Sequence, residues 1–422
     1  MTTLTSNVLD APPAPSGRRL TDTEALEMYL DCSIHELGER AHEVTLRLHP
    51  EDYRTYVVDR NINYSNYCTA RCIFCNFKAD PPGVNTGRKD LPEGYVLSFG
   101  EIGRKIEELI AIGGTQILMQ GGLVPAGLLP FDWYLDLMRF IKREYPGIHI
   151  HAFSPPEIFA FEKEFAMPVR DILLRLQEAG LDSIPGGGGE ILVDRVRDKI
   201  GLGKTRTDEY LYVCREAHRI GMRMSITMMF GHIETIPERI EHLRLIRDLQ
   251  DETGGFTAYI CWTFQPDNTP LGRMRTLPVS RDEGGEEGSG FGVQGSGFRV
   301  QGSASQVGNR KSRRPLNDGR HLLLADAHEY LTMLALSRIY LDNIPNIQSS
   351  WVTQGPKIGQ LALFFGANDM GSVMMEENVV SAAGTTYRLN EPEIRALITD
   401  AGWRPQKRNY YYRPIGADGL SP

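Results

Sequence analysis

The sequence lacks the features of a membrane or secreted protein. No apolar run approaches the about 20 residues that a membrane-spanning helix needs. The N-terminal stretch MTTLTSNVLDAPPAPSGRR has no apolar core of the kind found in signal peptides. We therefore expect a cytoplasmic protein, in which cysteines stay reduced and a cluster of them indicates a metal or catalysis rather than disulfides.

An excess of positive charge is also absent. The 422 residues contain 46 lysines and arginines against 54 aspartates and glutamates, which gives a formal net charge of −8 at pH 7. A nucleic-acid-binding protein is basic overall or carries a basic stripe. The composition therefore predicts no nucleic-acid partner and no membrane partner. It is compatible with a small anionic substrate, because the local charge of a pocket decides what the pocket binds.

The order of apolar segments predicts the fold. Short apolar runs alternate with amphipathic helices, several of which begin at capping boxes such as Ser98 with Glu101 and Thr235 with Glu238. Strands are predicted at 57–63, 115–119, 148–153, 181–185, 223–229, 256–262, 346–352 and 361–365. About eight strand–helix units predict an α/β fold, a parallel (βα)8 barrel of TIM type.

The predicted domain organisation has four parts. A disordered lead (1–20) precedes N-terminal helices (21–54), the barrel (55–375) and a C-terminal helical extension (376–422). Within the barrel, residues 284–313 are dominated by Gly, Ser and Gln, and the heptapeptide GSGFGVQ is followed at once by GSGFRVQ. Such a composition buries too little apolar surface to become ordered. We expect a flexible insertion in the loop after the sixth strand.

Chemically distinctive residues follow the predicted strands, where the active site of a TIM-type barrel lies. In chain order they are Cys68, Cys72 and Cys75; Gln120, Gly121 and Gly122; His151 to Glu157; Gly186 to Glu190; His232 and Glu234; Trp262 to Asn268; Trp351 with Thr353 and Gln354; and the segment GANDMG. The glycine run is either a plain turn or a nest of N–H groups, and the two tryptophans either pack at the rim or stack on an aromatic substrate. Together these positions favour an enzyme.

The cysteine triplet is the most specific motif. Cys68, Cys72 and Cys75 have the spacing C-x3-C-x2-C, and no fourth cysteine or histidine is near them in sequence. A structural zinc site needs four closed ligands, and a ferredoxin run has a different spacing with a fourth cysteine. With the aromatic Phe74 before its last cysteine, the triplet resembles the signature of radical S-adenosylmethionine enzymes. A non-catalytic zinc-binding module is the alternative from another class.

This resemblance implies the cofactors and their ligands. The three thiolates hold a 4Fe–4S cluster, and its open iron binds S-adenosyl-L-methionine, which is cleaved to methionine and a 5′-deoxyadenosyl radical. Further cofactor contacts are expected from Phe74, Gln120, Gly121, Gly122 and Glu190. Four residues are candidates for a catalytic base or polar anchor by location alone: His151, Glu190, His232 and Glu234. Cys32, Cys214 and Cys261 are expected to be small buried hydrophobic residues.

Longer segments narrow the resemblance. GLDSIPGGGGEILVDRVR, MMFGHIET, SSWVTQG and FFGANDMGS resemble the cyclase branch of this family, which acts in the futalosine route to menaquinone. The resemblance implies hydrogen abstraction from a substrate ribose, attack of the carbon radical on a benzoate ring, and loss of one electron and one proton. It implies an aromatic carboxylate nucleoside as substrate and a one-electron donor such as flavodoxin or ferredoxin. The sibling aminofutalosine synthases share the cysteine loop and are the alternative within the family.

Overall fold

The computed structural model describes residues 18–89, 91–275, 317–376, 378 and 381–416. The predicted insertion 284–313 and most of the predicted lead lie outside these residues. The strands are β1 Tyr53–Val57, β2 Asp59–Ile62, β3 Arg71–Cys72, β4 Gln116–Met119, β5 His149–Ala152, β6 Ser183–Ile184, β7 Gly201–Leu202, β8 Arg223–Phe230, β9 Phe256–Thr263, β10 Asn346–Gln348, β11 Asp369–Ser372 and β12 Arg404–Lys407.

Helices alternate with these strands. They are α1 Asp22–Asp31, α2 Ile34–Leu48, α3 Phe99–Ala111, α4 Phe131–Glu144, α5 Pro155–Phe165, α6 Val169–Ala179, α7 Asp194–Ile200, α8 Thr207–Arg219, α9 Ile236–Thr253, α10 Ala327–Tyr340, α11 Trp351–Gln354, α12 Pro356–Ala362 and α13 Glu391–Asp400, with short 3-10 helices at Leu271–Arg273 and Ser381–Ala383. The predicted capping boxes form at Ser98 and Thr235. Among the described helices, none combines the length and apolar character that crossing a membrane requires.

Ten strands form one curled parallel sheet, in the order β12-β1-β11-β10-β9-β8-β6-β5-β4-β2. Only Val58 separates β1 from β2. β1 pairs with β11, and β2 pairs with β4 at the far end of the sheet. The segment from Tyr53 to Ile62 therefore contributes the second strand of the curl, β1, and the last strand, β2. The predicted barrel architecture is confirmed, with helices around the sheet and the strand ends directed to one rim.

The predicted strand at 361–365 is wrong. Helix α12 and the turn after it occupy this segment, and the strand of the sheet is β11 at Asp369–Ser372. Pro356 directly follows Gly355 and is suited to a first helical turn. Leu361 and Phe364 are 44 % and 38 % exposed, whereas Ala362 and Leu363 are fully buried, so only one side of this helical turn packs against the core. β11 carries Asp and Ser among its four residues, and hydrophobic periodicity therefore gives no signal for it.

The C-terminal extension contains helix α13, as predicted, but it also contributes a strand. β12 pairs in parallel with β1, from Tyr53 opposite Arg404 to Tyr56 opposite Lys407. The chain after β12 turns into the barrel, where Arg408, Tyr410 and Tyr412 line the interior cavity. The extension is therefore part of the wall and floor of the barrel rather than an appendage.

Candidate active site

The barrel contains two connected chambers. One lies at the rim and the other lies in the body of the barrel. We call outer chamber the cavity that contains Cys68, Cys72 and Cys75, and inner chamber the cavity that contains His151 and Trp351. Five residues line both: Gln120, Gly187, Gly188, Glu190 and Trp262. The outer chamber also includes Phe74, Gly121 and Gly122, so the structure brings the predicted metal ligands and cofactor contacts to one cavity.

The cysteine loop is held to its neighbours by backbone hydrogen bonds. The N–H of Cys68 donates to the carbonyl of Ala79 at 2.9 Å, and its Sγ accepts the N–H of Leu123 at 3.3 Å. Cys72 lies in β3, which pairs antiparallel with β7. The N–H of Ile73 donates to the carbonyl of Ile200 at 2.8 Å. These bonds fix the path of the loop between its three thiols.

The Cys68, Cys72 and Cys75 thiols lie near one another on the wall of the outer chamber. In the described part of the chain, no group of three His, Cys, Asp or Glu side chains is placed to hold one metal ion. In a 4Fe–4S cluster the cysteine thiolates bind the irons of a cube, so the thiols surround a volume instead of meeting at a point. Burial raises the pKa of the Cys72 thiol to about 12, although Lys204 nearby lowers it. Such a thiol becomes a thiolate when a metal replaces its proton.

Gly121 and Gly122 are required by close packing. A Cβ atom on Gly122 would overlap the carbonyl oxygen of Tyr67 and lie 2.6 Å from the Cβ of Cys68, and one on Gly121 would overlap the ring of Tyr64. Only glycine lets the turn after β4 approach the cysteine loop this closely. A direct contact with S-adenosyl-L-methionine stays a prediction for this pair.

The Gly122→Ala variant is expected to lose most of its cluster, because the added Cβ pushes the Cys68 end of the loop away. Iron and sulfide per chain after anaerobic reconstitution should fall several-fold relative to the unmodified protein. Gly127→Ala is the matched control, because a Cβ atom there meets nothing within 4 Å. Iron content in Gly122→Ala equal to that of the control would show that the close approach is dispensable.

Glu157 lies after β5 at the end of the HAFSPPE segment, and no role was predicted for its buried carboxylate from the sequence. It accepts the N–H of Gly121 at 2.9 Å and the hydroxyl of Tyr64 at 2.7 Å, and its other oxygen accepts the N–H and hydroxyl of Ser154. Burial raises the pKa of Glu157, although these donors lower it. Glu157 therefore fixes the Gly121 turn on the wall of the outer chamber. The Ser154-x-x-Glu157 capping box was the available sequence signal.

Glu190 lies where the two chambers meet. Its backbone has a φ of 30°, an unusual conformation for a residue other than glycine. Its carboxylate accepts Lys204 Nζ at 2.9 Å, and Arg197 lies 3.9 Å away. Burial lowers the pKa of Lys204, but Glu190 raises it above its ordinary value. Lys204 also lies 5.3 Å from the ring of Phe74, so a buried ion pair connects Glu190 to the cysteine loop.

His232 and Glu234 do not line either chamber. Both are fully buried, with His232 Nδ1 2.9 Å from Glu234 Oε2. Glu234 also pairs with Arg239 at 2.7 Å, and Arg239 continues to Glu329. Burial raises the pKa of Glu234, but His232 and Arg239 together hold it well below its ordinary value. Their contacts form a structural ion-pair network, and a catalytic role for the two stays a prediction without geometric support.

The floor of the inner chamber comes from distant parts of the chain. Asp369 of β11 accepts Arg408 Nε at 2.6 Å and Nη2 at 2.9 Å, and it also accepts the hydroxyl of Thr55 at 2.5 Å. The Arg408 guanidinium lies 3.8 Å from the centre of the Tyr412 ring. Asp59 is buried beside them and accepts the hydroxyl of Ser372. No local motif marks these residues, because each depends on a partner far away in sequence.

Comparison with known proteins agrees with this geometry. A model of the radical SAM superfamily matches residues 62–246, and a model of the CofH/MqnC C-terminal region matches residues 320–418. The chain is 40 % identical over 402 residues to cyclic dehypoxanthine futalosine synthase of Halalkalibacterium halodurans, covering 95 % of this chain and 93 % of the relative. Identity is 37 % to the protein of the same name from Streptomyces coelicolor, covering 95 % and 87 %.

A differently named relative and two solved structures complete the comparison. The chain is 34 % identical to 5-amino-6-(D-ribitylamino)uracil–L-tyrosine 4-hydroxyphenyl transferase of Methanopyrus kandleri, covering 94 % and 92 %. Methylornithine synthase has a TM-score of 0.62 at 17 % identity, covering 92 % and 95 %. The FeFe-hydrogenase maturase HydG from Carboxydothermus hydrogenoformans has a TM-score of 0.60 at 14 % identity, covering 94 % and 78 %. At these identities the two structures support the fold alone.

Proposed function

The chain belongs to the radical S-adenosylmethionine superfamily, in the group that contains the cyclic dehypoxanthine futalosine synthases, and we propose that it cyclises dehypoxanthine futalosine in menaquinone biosynthesis. The observation that carries this proposal is the 40 % identity over 95 % of the chain to a synthase of that name. It is supported by the cysteine triplet on the wall of a chamber that continues into the barrel interior.

The cofactors have an evident place in this proposal. Cys68, Cys72 and Cys75 would hold the 4Fe–4S cluster, and residues of the same chamber would hold S-adenosyl-L-methionine: Phe74, Gln120, Gly121, Gly122 and Glu190. When bound, these groups supply a 5′-deoxyadenosyl radical that can abstract hydrogen from a ribose. A reduced flavodoxin or ferredoxin is the proposed one-electron donor.

The inner chamber would receive the substrate. Trp262 lies at the junction of the two chambers and is half-buried, so its ring is available to an aromatic group passing from one to the other. Deeper in the barrel the lining is mixed, with Trp351 buried and hydroxyl groups at Ser350 and Thr353. A cavity inside the barrel limits the access of water to a carbon radical and holds the reacting atoms together.

Among the described lining residues, every lysine and arginine is already paired with a carboxylate, so none is free to bind the substrate carboxylate. Lys204 is paired with Glu190, Arg408 with Asp369, and Lys78 with Asp80 at 3.0 Å. Neutral donors such as hydroxyl and backbone N–H groups are therefore the proposed anchors for the benzoate. Cyclisation also releases one proton, which requires a base on the inner chamber; among the described residues, His151 is the histidine that lines this chamber.

The proposal is tested by anaerobic reconstitution followed by incubation with dehypoxanthine futalosine, S-adenosyl-L-methionine and a reductant. The expected result is a cyclised product together with 5′-deoxyadenosine, from a protein that contains iron and no stoichiometric zinc. A parallel incubation with tyrosine and 5-amino-6-(D-ribitylamino)uracil tests the reaction named for the archaeal relative, and one with the enolpyruvyl substrate tests the aminofutalosine synthase alternative. Turnover of either alternative substrate with no cyclised product would refute the assignment.

A further inference from the structure

Two histidines and a serine form a short chain of hydrogen bonds that begins at the inner chamber. His149 and His151 are two residues apart on β5 and so share a face of the strand. Ser183 on β6 lies opposite His151 in the strand register. Its Oγ is 2.7 Å from His151 Nδ1 and also 2.7 Å from His149 Nε2. One hydroxyl therefore bridges two imidazoles.

The bridge is directional, because a serine hydroxyl carries one proton. It can donate to one imidazole nitrogen while it accepts an N–H from the other, and the Tyr410 hydroxyl also lies within hydrogen-bond reach of it. Two arrangements satisfy the three groups, and they interconvert when each proton moves to its neighbour. Tyr410 packs against both rings, with centroid distances of 4.5 Å to His149 and 4.6 Å to His151, which holds the imidazoles in place.

We propose that His151, Ser183 and His149 form a proton relay that carries the proton lost in cyclisation from the inner chamber to the N-terminal end of the barrel. His151 lines the chamber, and its Nε2 lies near Ser225 Oγ at 3.4 Å. His149 is only half-buried and does not line the chamber. One end of the hydrogen-bond chain therefore lines the inner chamber, and the other end lies outside that chamber at a partly exposed residue.

This inference rests on the proposed reaction. The protons and electrons of the transfer balance with the groups of that reaction alone. The ring carbon of the cyclised radical gives its proton to His151 Nε2, and its electron passes separately to a one-electron acceptor of iron–sulfur or flavin type. His151 Nδ1–H moves to Ser183 Oγ, and the original Ser183 proton moves to His149 Nε2. His149 then releases the proton on its other ring nitrogen to water. After product release, His151 Nε2 gives its proton to water that enters the chamber, the two transfers run in reverse, and His149 takes a proton from solvent, which restores the starting tautomers.

Neither histidine is suited to retain the proton. Burial lowers the pKa of His149 to about 4, although Asp182 raises it and Lys142 lowers it further. Burial, with His149 and Arg408 nearby, lowers the pKa of His151 well below its ordinary value. Both rings are thus neutral near pH 7, which leaves each free to take a proton on one nitrogen and give one from the other.

The relay is tested with Ser183→Ala, His149→Gln and the double variant, and with Ser337→Ala as a control for the loss of a buried serine hydroxyl outside both chambers. Cyclised product per 5′-deoxyadenosine is expected to fall at least about tenfold in each single variant, since proton transfer by a positioned group contributes about 10²–10⁴. The double variant should resemble the singles, because either change breaks the same relay. Full activity in His149→Gln would overturn the proposal.

A substrate-independent measurement separates the relay from the proposed function. Nitrogen NMR of the full chain with labelled histidine should show that, at pH 7, one and only one of His149 Nε2 and His151 Nδ1 carries a proton. In Ser183→Ala the tautomer of one histidine should no longer depend on that of the other. Two protonated or two bare nitrogens would refute the relay. Absence of cyclised product from the unmodified protein would instead refute the proposed function, and the NMR result would still decide the relay.

Discussion

Alanine in place of Cys68, Cys72 or Cys75 is expected to abolish S-adenosylmethionine cleavage and turnover. Two thiolates cannot hold a 4Fe–4S cluster that needs three protein ligands and one open iron, and among the described residues no other cysteine lines the outer chamber. Each variant should lose the iron–sulfur absorbance and most of its iron after reconstitution. The measurements are iron and sulfide per chain, the visible spectrum, and 5′-deoxyadenosine formed under reducing conditions.

The remaining cysteines provide the controls. Cys214 and Cys261 are fully buried, and burial raises the pKa of both thiols, that of Cys261 to about 12. They behave as small hydrophobic residues of the core. Cys214→Ala and Cys261→Ala should therefore keep iron near the level of the unmodified protein. Retained S-adenosylmethionine cleavage in any variant of the triplet would contradict the cluster assignment.

The Arg408→Met variant is expected to be the most destabilising single change at the chamber floor. The Arg408 and Asp369 side chains are 3 % and 0 % exposed, and removal of the cation leaves Asp369 buried with no opposite charge. Removing one partner of a buried ion pair costs about 3–5 kcal/mol. The free energy of unfolding, measured by denaturant titration, should fall by this amount. The loss should extend to the docking of β12, because Arg408 directly follows that strand.

Arg404→Met on the same strand is the matched control. The Arg404 and Asp52 side chains are 51 % and 76 % exposed, and solvent screens such an exposed pair so that it contributes little to stability. The two variants remove the same charge and leave side chains of the same kind, so the difference between them isolates burial. Equal losses of unfolding free energy would show that the Arg408 pair does not hold the C-terminal segment in the barrel.

Several features of the site could be predicted because their signals are local. The spacing of Cys68, Cys72 and Cys75 is read within one loop, and each buried strand from 115 to 262 is marked by its own apolar residues. Capping boxes likewise join residues three apart, as at Ser98 and Thr235. The strand at Asp369–Ser372 gave no such signal, because pairing with β1 and Arg408 stabilises it in place of hydrophobic alternation.

Ion pairs between distant residues are a second feature that local sequence signals do not predict. Glu234 and His232 were predicted as candidate catalytic residues because they follow a strand. In the folded chain both are fully buried, and Glu234 forms an ion pair with Arg239. Lys204 carried no motif, but the fold places its ammonium group against Glu190 at the junction of the chambers. Whether a polar residue lines a cavity or forms an ion pair depends on the helices and strands that pack against it. The neighbouring residues in the sequence do not specify which helices and strands these are.

The sequence by itself determined the curled α/β sheet and the loop of three cysteines, since hydrophobic periodicity and ligand spacing act over a few residues. Only the tertiary structure decided that Arg408 and Tyr410 form the chamber floor, that Glu157 holds the Gly121 turn, and that Ser183 bridges His149 and His151. These contacts join residues from different strands and from the C-terminal segment. Their formation depends on strand order and register, which are settled when the whole sheet closes and buries its polar groups in mutually satisfied pairs.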